Sequence, residues 1–320
     1  MKKFESINEG YNSVFKVGQL SIGIVVPIEN YANSSVPKMD DHLTRVQLVE
    51  QLGFKAIWLR DVPLHVPAFG DAGQTYDPFT YAGYLAGQTT RLAIGMGSIA
   101  LPLHHPVHVM KSAATIDQLS GGRIILGVAS GDRPSEYPAM GFDFESRGAA
   151  FVEAFNYIRA IQENFPSFSS ATYGTFNGQG DVLPKATAHK LPLLVTGHCR
   201  QNEKWIAEHS DGWIYYPRNY YMLESYMKEF RSAIPESQGI DKPFMQPLYV
   251  DFQEDDNFEP QHIHLGFRLG AKHLITHLSN LRKLGVNHVA LNLRFNTGEI
   301  EKILKMIAQK ILPHFHLETK

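Results

Sequence analysis

Two short stretches of the chain and a few scattered histidines carry the residue types that do chemistry. In GVASGDRPSEYPAMGF (127–142) an apolar run ends in Ser130, Gly131 and Asp132, with Arg133, Glu136 and Tyr137 just beyond. Gly127 and Gly131 flank this exit, and missing side chains there let a flat ligand come close to the backbone. In VTGHCRQNEKW (195–205) an apolar run ends at Thr196 and Gly197, and the pattern predicts a helix beginning near Cys199 or Arg200. Free amides at a helix start suit a phosphate; the same residues also make an ordinary βα turn with a glycine bend. FNTGEI (295–300) offers a rival helix start, with Thr297 reading as its cap.

The His pairs, His104–His105 and His262–His264, have no carboxylate at a metal-binding spacing, so they read as cap or surface residues and no metal site is expected. Cys199 could serve as a nucleophile, but no His or Asn partner can be assigned to it. The dinucleotide fingerprint, the phosphate-binding P-loop pattern and the G-x-S-x-G elbow are all missing.

These residues must be positioned by a repeating scaffold. Short β-branched runs alternate with amphipathic helical runs along the whole chain. The strands read as 20–28, 56–62, 91–101, 123–130, 191–197, 212–218, 243–252 and 288–295, each followed by a helix; the seventh helical run is expected over about 263–285. Asp40 or Asp41 caps the first helix, and Asp77 with Pro78 opens the second. Eight such units predict an α/β fold, a (β/α)8 TIM barrel, in preference to an open doubly wound sheet. The whole of 1–320 reads as a single domain, with rim insertions at roughly 165–190 and 253–262, either of which could form a lid.

In a barrel the site lies where strands end. That rule selects Arg60 and Asp61; Gly97, Ser98 and Ile99; Ser130 and Asp132; Thr196, Gly197, His198 and Cys199; Tyr216 and Arg218; Asp251; and Arg294 and Asn296. Tyr215, Tyr216, Tyr220 and Tyr221 cluster at the sixth mouth, as walls for a flat ligand or as packing under the rim.

Composition excludes several classes. Lys plus Arg is 30 and Asp plus Glu 32, a net charge of -2 that gives no argument for nucleic acid or an anionic membrane as partner. A single cysteine permits no internal disulfide and fits a reducing compartment. With no signal-peptide core and no apolar run of about 18 residues, a cytoplasmic location is expected.

The run LPLHHPVHVMKSAATIDQLSGGRIILGVASGDRPSEYPAMGFDFESRGAAFVEAFNYIR resembles the luciferase-like monooxygenase superfamily, through its D-x-L-S-G-G-R helix end, its G-V-x-S-G strand exit and its MGFDFESR segment. TGHC…AEHSDGW and GVNHVALNLRFN extend the likeness to bacterial luciferase-type flavin oxidoreductases of unassigned substrate. The resemblance implies a homodimeric barrel that binds FMN, or alternatively a deazaflavin, at the strand mouths. It places Gly97, Ser98 and Ile99 against the flavin ring, through a bulge or a non-proline cis peptide. It sets Ala129, Ser130 and Tyr137 near the cofactor, and gives Gly197, His198 and Cys199 its phosphate.

Bacterial luciferase has adjacent histidines after the second strand, where this chain has Arg60 and Asp61, and an arginine that helps hold phosphate matches Ser130. His198 or Arg200 would take over that charge. These departures count against a luciferase reaction and leave flavin binding standing.

The expected function is therefore an FMN-dependent monooxygenase. It would use molecular oxygen and reduced FMN, supplied by a separate NAD(P)H:flavin reductase, on a small organic substrate. Arg60, Asp61, Ser130 and His198 are the candidate catalytic residues. Deazaflavin-dependent hydride transfer and non-catalytic flavin storage are the alternatives. A cofactor-free lyase would need a lysine at a strand mouth, and none is clearly supplied.

Overall fold

The computed structural model describes residues 2–316. Eight parallel strands form its centre: β1 Ser21–Val25, β2 Ala56–Leu59, β3 Ala93–Ala100, β4 Ile124–Ala129, β5 Leu193–Thr196, β6 Gly212–Ile214, β7 Phe244–Phe252 and β8 His288–Asn292. Each pairs with the next, and β8 pairs with β1, so the sheet closes into the expected (β/α)8 barrel. The helices are α1 His42–Gln51, α2 Pro78–Ala86, α3 Pro106–Ser120, α4 Arg147–Ala160, α5 Glu203–His209, α6 Tyr220–Ser232, α7 Ala271–Leu284 and α8 Ile300–Lys310.

Strand alternation divides the core into two. Along β4, Ile124, Leu126 and Val128 belong to the layer between sheet and helices, while Ile125 belongs to the barrel interior. The interior cluster also holds Val25, Trp58, Leu194, Ile214, Met245 and Ala290. Ile7, Tyr11, Val14 and Phe15, from the short helix Glu9–Val14 and its flanks, complete that cluster and plug the end of the barrel where strands begin. Asn8 caps this plug helix and ties it to the Ile124 carbonyl at 2.7 Å. Truncating a fully buried aromatic such as Tyr11 is expected to cost about 3–5 kcal/mol.

Several local expectations are met. Asp77 accepts from Thr80 N–H, with Pro78 in the first turn, and His105 caps α3. Others are corrected. Asp41 sits at the N-cap of α1 without a side-chain cap bond. The seventh helix starts only at Ala271, because 261–269 forms a hairpin (Gln261–Ile263 with Gly266–Leu269) whose second strand pairs with β7. Thr297 caps no helix: its hydroxyl donates to buried Asp251 at 3.0 Å, and Glu299 precedes α8.

Segment 165–190 joins α4 to β5, so it starts from the end opposite the strand mouths. Its hairpin, Ser167–Ser170 with Gly174–Asn177, packs Phe168, Tyr173 and Phe176 around Tyr157 of α4. It is an outer buttress and no lid. Among the described residues, no helix is long and apolar enough to cross a membrane.

Candidate functional site

The open end of the barrel holds a cleft of about 270 Å³ over β2–β6 and, beside it, an annex of about 150 Å³ over the barrel interior. The two share Arg60, Gly97, Thr196 and Tyr216. Arg60, Asp61, Gly97, Ser98, Ala129, Ser130, Gly197, His198 and Cys199 all line the cleft, so the structure brings these sequence-predicted residues together. Ile99 and Tyr137 lie outside it. Ile99 is fully buried, and the Tyr137 hydroxyl donates to the Ser130 carbonyl, bracing the wall from behind.

The register of β3 slips between Met96 and Ile99, and the Gly97–Ser98 peptide is cis. Gly97 and Ser98, within the slip, line the cleft. Ser98 hydroxyl hydrogen-bonds with that of Thr196, joining β3 to β5 at the mouth.

After β5, helix α5 begins at Glu203 rather than at Cys199 or Arg200, capped by Asn202. The intervening turn has positive φ at Gly197, Cys199 and Arg200. Gly197 N–H donates to the Ile214 carbonyl at 2.8 Å, whereas those of His198, Cys199 and Arg200 donate to no acceptor among the described residues. A Cβ on Gly197 would make only an ordinary contact, 3.6 Å from the Tyr216 ring, so the corner is open; it is the left-handed φ of +61° that favours glycine here. The His198 imidazole Nε2 meets Glu203 at 2.9 Å. Burial pushes the Cys199 thiol up to about 12, which removes it as a thiolate nucleophile. Arg200 points to Glu145 at 3.2 Å on the exposed side.

The loop after β2 covers the cleft through one carboxylate. Asp71 receives Arg60 Nη1 at 2.6 Å, Arg294 Nη1 at 3.1 Å, the Tyr31 hydroxyl at 3.1 Å and Gly73 N–H at 2.8 Å. Burial alone would raise its pKa; Arg60, Gly73 N–H and Arg294 outweigh that and hold it below the usual carboxylate range. Arg133 donates to the Asp71 carbonyl at 2.7 Å, stacks 4.3 Å over Phe69, and keeps its buried Nη1 without a partner. Asp61 accepts Ala100 N–H at 3.0 Å and faces His104 Nε2 at 2.7 Å. Burial opposes charge on His104, yet the hydrogen bond and charge of Asp61 raise its pKa. Glu136, also on the cleft, accepts among the described residues only Leu64 N–H, at 3.4 Å, and burial raises its pKa.

Asp71, Arg133, Glu136 and His104 were missed as functional candidates. Arg133 and Glu136 stand within the stretch after β4 and could have been found there. Asp71 and His104 reach the site from loops, and their partners are distant in sequence. His104 is the C-cap of the short 3-10 turn Leu101–Leu103, as expected, and its half-buried side chain is in addition held by Asp61; no cluster of metal-ligating side chains exists among the described residues. Tyr216 walls the cleft, while Tyr220 and Tyr221 are exposed on α6.

A sequence profile for the family described as luciferase-like monooxygenase matches residues 20–256. Among curated proteins, an uncharacterised protein of Mycobacterium tuberculosis is 30% identical over 192 residues, covering 54% of this chain and 66% of its own. The alkanal monooxygenase alpha chain of Photorhabdus luminescens is 27% identical over 164 residues, 51% of this chain and 44% of its own. The chain thus spans less than two thirds of either relative.

Solved structures align over nearly the full length. A monooxygenase from Streptomyces bottropensis gives a TM-score of 0.76 at 15% identity, covering 92% of this chain and 99% of its own. An F420-dependent secondary alcohol dehydrogenase in complex with an F420-acetone adduct gives 0.75 at 17%, covering 93% and 100%. The oxygenating constituent of 3,6-diketocamphane monooxygenase from Pseudomonas putida, in complex with FMN, gives 0.72 at 12%, covering 93% and 99%. At these identities the likeness is one of fold.

Proposed function

The chain belongs to the luciferase-like monooxygenase family, and from that premise we propose that it is an FMN-dependent monooxygenase acting on a small organic substrate. The observation that carries this reading is the meeting, on one cleft, of the slipped β3 backbone with a turn whose His198 and Cys199 amides have no acceptor among the described residues. The fit to the cofactor is chemical. The free amides match a phosphate, and the open corner at Gly197 gives it room. Cleft and annex together reach the lower end of the roughly 300–1,000 Å³ common for ligand sites.

A bound flavin supplies the redox chemistry. The chain's own residues do the rest. The turn at Gly197, His198 and Cys199 holds the phosphate, and Gly97, Ser98, Ala129 and Ser130 form the surface under the ring. Asp61 pins the far end of the β3 slip through Ala100 N–H. Arg60 presents a fixed positive group at the junction of cleft and annex, held by Asp71. Glu136 holds a proton more readily than a solvated carboxylate, because it is buried. The loop carrying Phe69 and Asp71 shields the cleft from water.

Absorption spectra during FMN titration, then oxygen uptake and product formation with reduced FMN supplied by a separate NAD(P)H:flavin reductase, test this. Binding without either would leave a flavin carrier. Ser130→Tyr should block the ring; undiminished FMN affinity would show the ring placed at the wrong mouth. A second reading, deazaflavin-dependent hydride transfer in the cytoplasm, draws on the F420-dependent neighbour. Anaerobic reconstitution with each cofactor separates the two.

A further inference from the structure

Resting on the flavin reading, we infer that the floor of the annex, formed by Trp58, Ile214, Met245 and Ala290, seats the dimethylbenzene edge of FMN and selects that ring against an 8-hydroxy-5-deazaflavin. The phosphate end is fixed by the amides of the cleft, so a rigid ring continuing inward enters the annex end-on. One end of the ring carries carbonyls and an N–H; the other carries only methyl groups. The floor residues all belong to the apolar barrel interior and are buried. Carbonyls placed there would lose their hydrogen bonds, whereas methyl groups lose nothing.

The only hydrogen-bond donor among the floor side chains is spent. Trp58 Nε1–H donates to His288 Nε2 at 2.9 Å, and His288 Nδ1 meets Ser21 Oγ at 2.6 Å. That hydroxyl donates onward to the Val14 carbonyl at 2.7 Å. Burial lowers the His288 pKa to about 3, so the imidazole stays neutral and accepts. The glycine at 95 lets the indole lie flat against β3, since a Cβ there would collide with the ring.

A deazaflavin hydroxyl seated on this floor would sit among carbons. Polar side chains of the annex lie outside the apolar interior cluster: Arg60, held by Asp71, Asn292, whose Oδ1 accepts Arg294 N–H at 3.0 Å, and the hydroxyls of Thr196, Tyr216 and Tyr249. An unpaired buried hydroxyl weakens binding by roughly tenfold to a hundredfold.

The test compares riboflavin with 7,8-didemethyl-8-hydroxy-5-deazariboflavin, which share a tail, by equilibrium dialysis and fluorescence titration of the full chain, with FMN alongside. Riboflavin is expected to bind at least tenfold tighter. Met245→Gln, or the milder Ala290→Ser if the former unfolds, should narrow that ratio by supplying a donor. Equal or inverted affinities with FMN still bound would overturn the selection and spare the flavin reading, as would a preference that neither variant changes. Failure of every flavin to bind would remove the flavin reading and the inference together.

Discussion

The two ends of the barrel treat buried polar groups in opposite ways. At the closed end, Asp211 is held by Arg159 at 2.6 Å and Lys190 at 2.8 Å, Lys190 reaches Glu5 at 2.6 Å, and the Tyr11 hydroxyl donates to the Asp211 carbonyl at 2.8 Å. Arg123 spreads its guanidinium over Ser120, Thr89, Leu92 and Ala86. These groups close on one another beneath an apolar plug. At the open end the network around Asp71 is just as dense, yet among the described residues it leaves the His198 and Cys199 amides, Arg133 Nη1 and Glu136 short of partners beside a cleft. Unmade hydrogen bonds are expensive; buried Gln162 Nε2 and Arg231 Nε are unpaired at the closed end as well, whereas at the open end several spare groups gather around one cleft beside the strand exits, where a ligand can complete them.

Breaking each end in turn should separate these roles. The largest effect is expected for Gly197→Glu, which puts a carboxylate and a side chain at a left-handed position against the proposed phosphate. FMN affinity should fall by on the order of a thousandfold or more, while the chain loses about 1–2 kcal/mol of stability; retained affinity would move the phosphate elsewhere. Asp211→Asn should do the reverse, costing about 3 kcal/mol in urea unfolding with FMN affinity within about twofold of the parent. Asp71→Asn lies between. It loosens the covering loop, so about 2 kcal/mol of stability and roughly tenfold in affinity should go together, and a change in only one would dissociate cover from site.

Acid sharpens the contrast. The Asp211 carboxyl is lowered in the folded state because Arg159 and Lys190 outweigh its burial. Its contribution is therefore present above the usual carboxylate value of about 3.9 and lost as pH falls through the lower folded one. The parent should lose stability more steeply than Asp211→Asn between about pH 4 and 2. The smallest effect belongs to the outer hairpin. Phe176→Ala should cost about 1 kcal/mol and leave the FMN dissociation rate unchanged; faster release would restore segment 165–190 as a lid.

Much of this arrangement was legible in the residues. Arg60, Asp61, Ser98, Ser130 and Gly197 were found by one rule, that strand exits in a barrel face the site, and all line the cleft. Misses arose where chain continuity gave no cue. The 165–190 segment has the length and polarity of a lid, but Phe168, Tyr173 and Phe176 find an apolar surface on α4. The helix expected at Cys199 begins at Glu203, because Gly197, Cys199 and Arg200 take left-handed conformations that no helix contains.

Hydrophobic period is a local property, and it determined the eight strand–helix units; which side of each strand faces inward was not marked, because the strands are buried on both faces. Which exits carry spare donors, which loop supplies the carboxylate that covers them, and that the barrel is plugged at one end and open at the other were decided only by closure. Closure brings Asp71 to Arg60 and Arg294, Asp61 to His104, and Tyr11 to Asp211. Such pairings depend on distances in space between residues up to hundreds of positions apart, and no pattern along the chain encodes them.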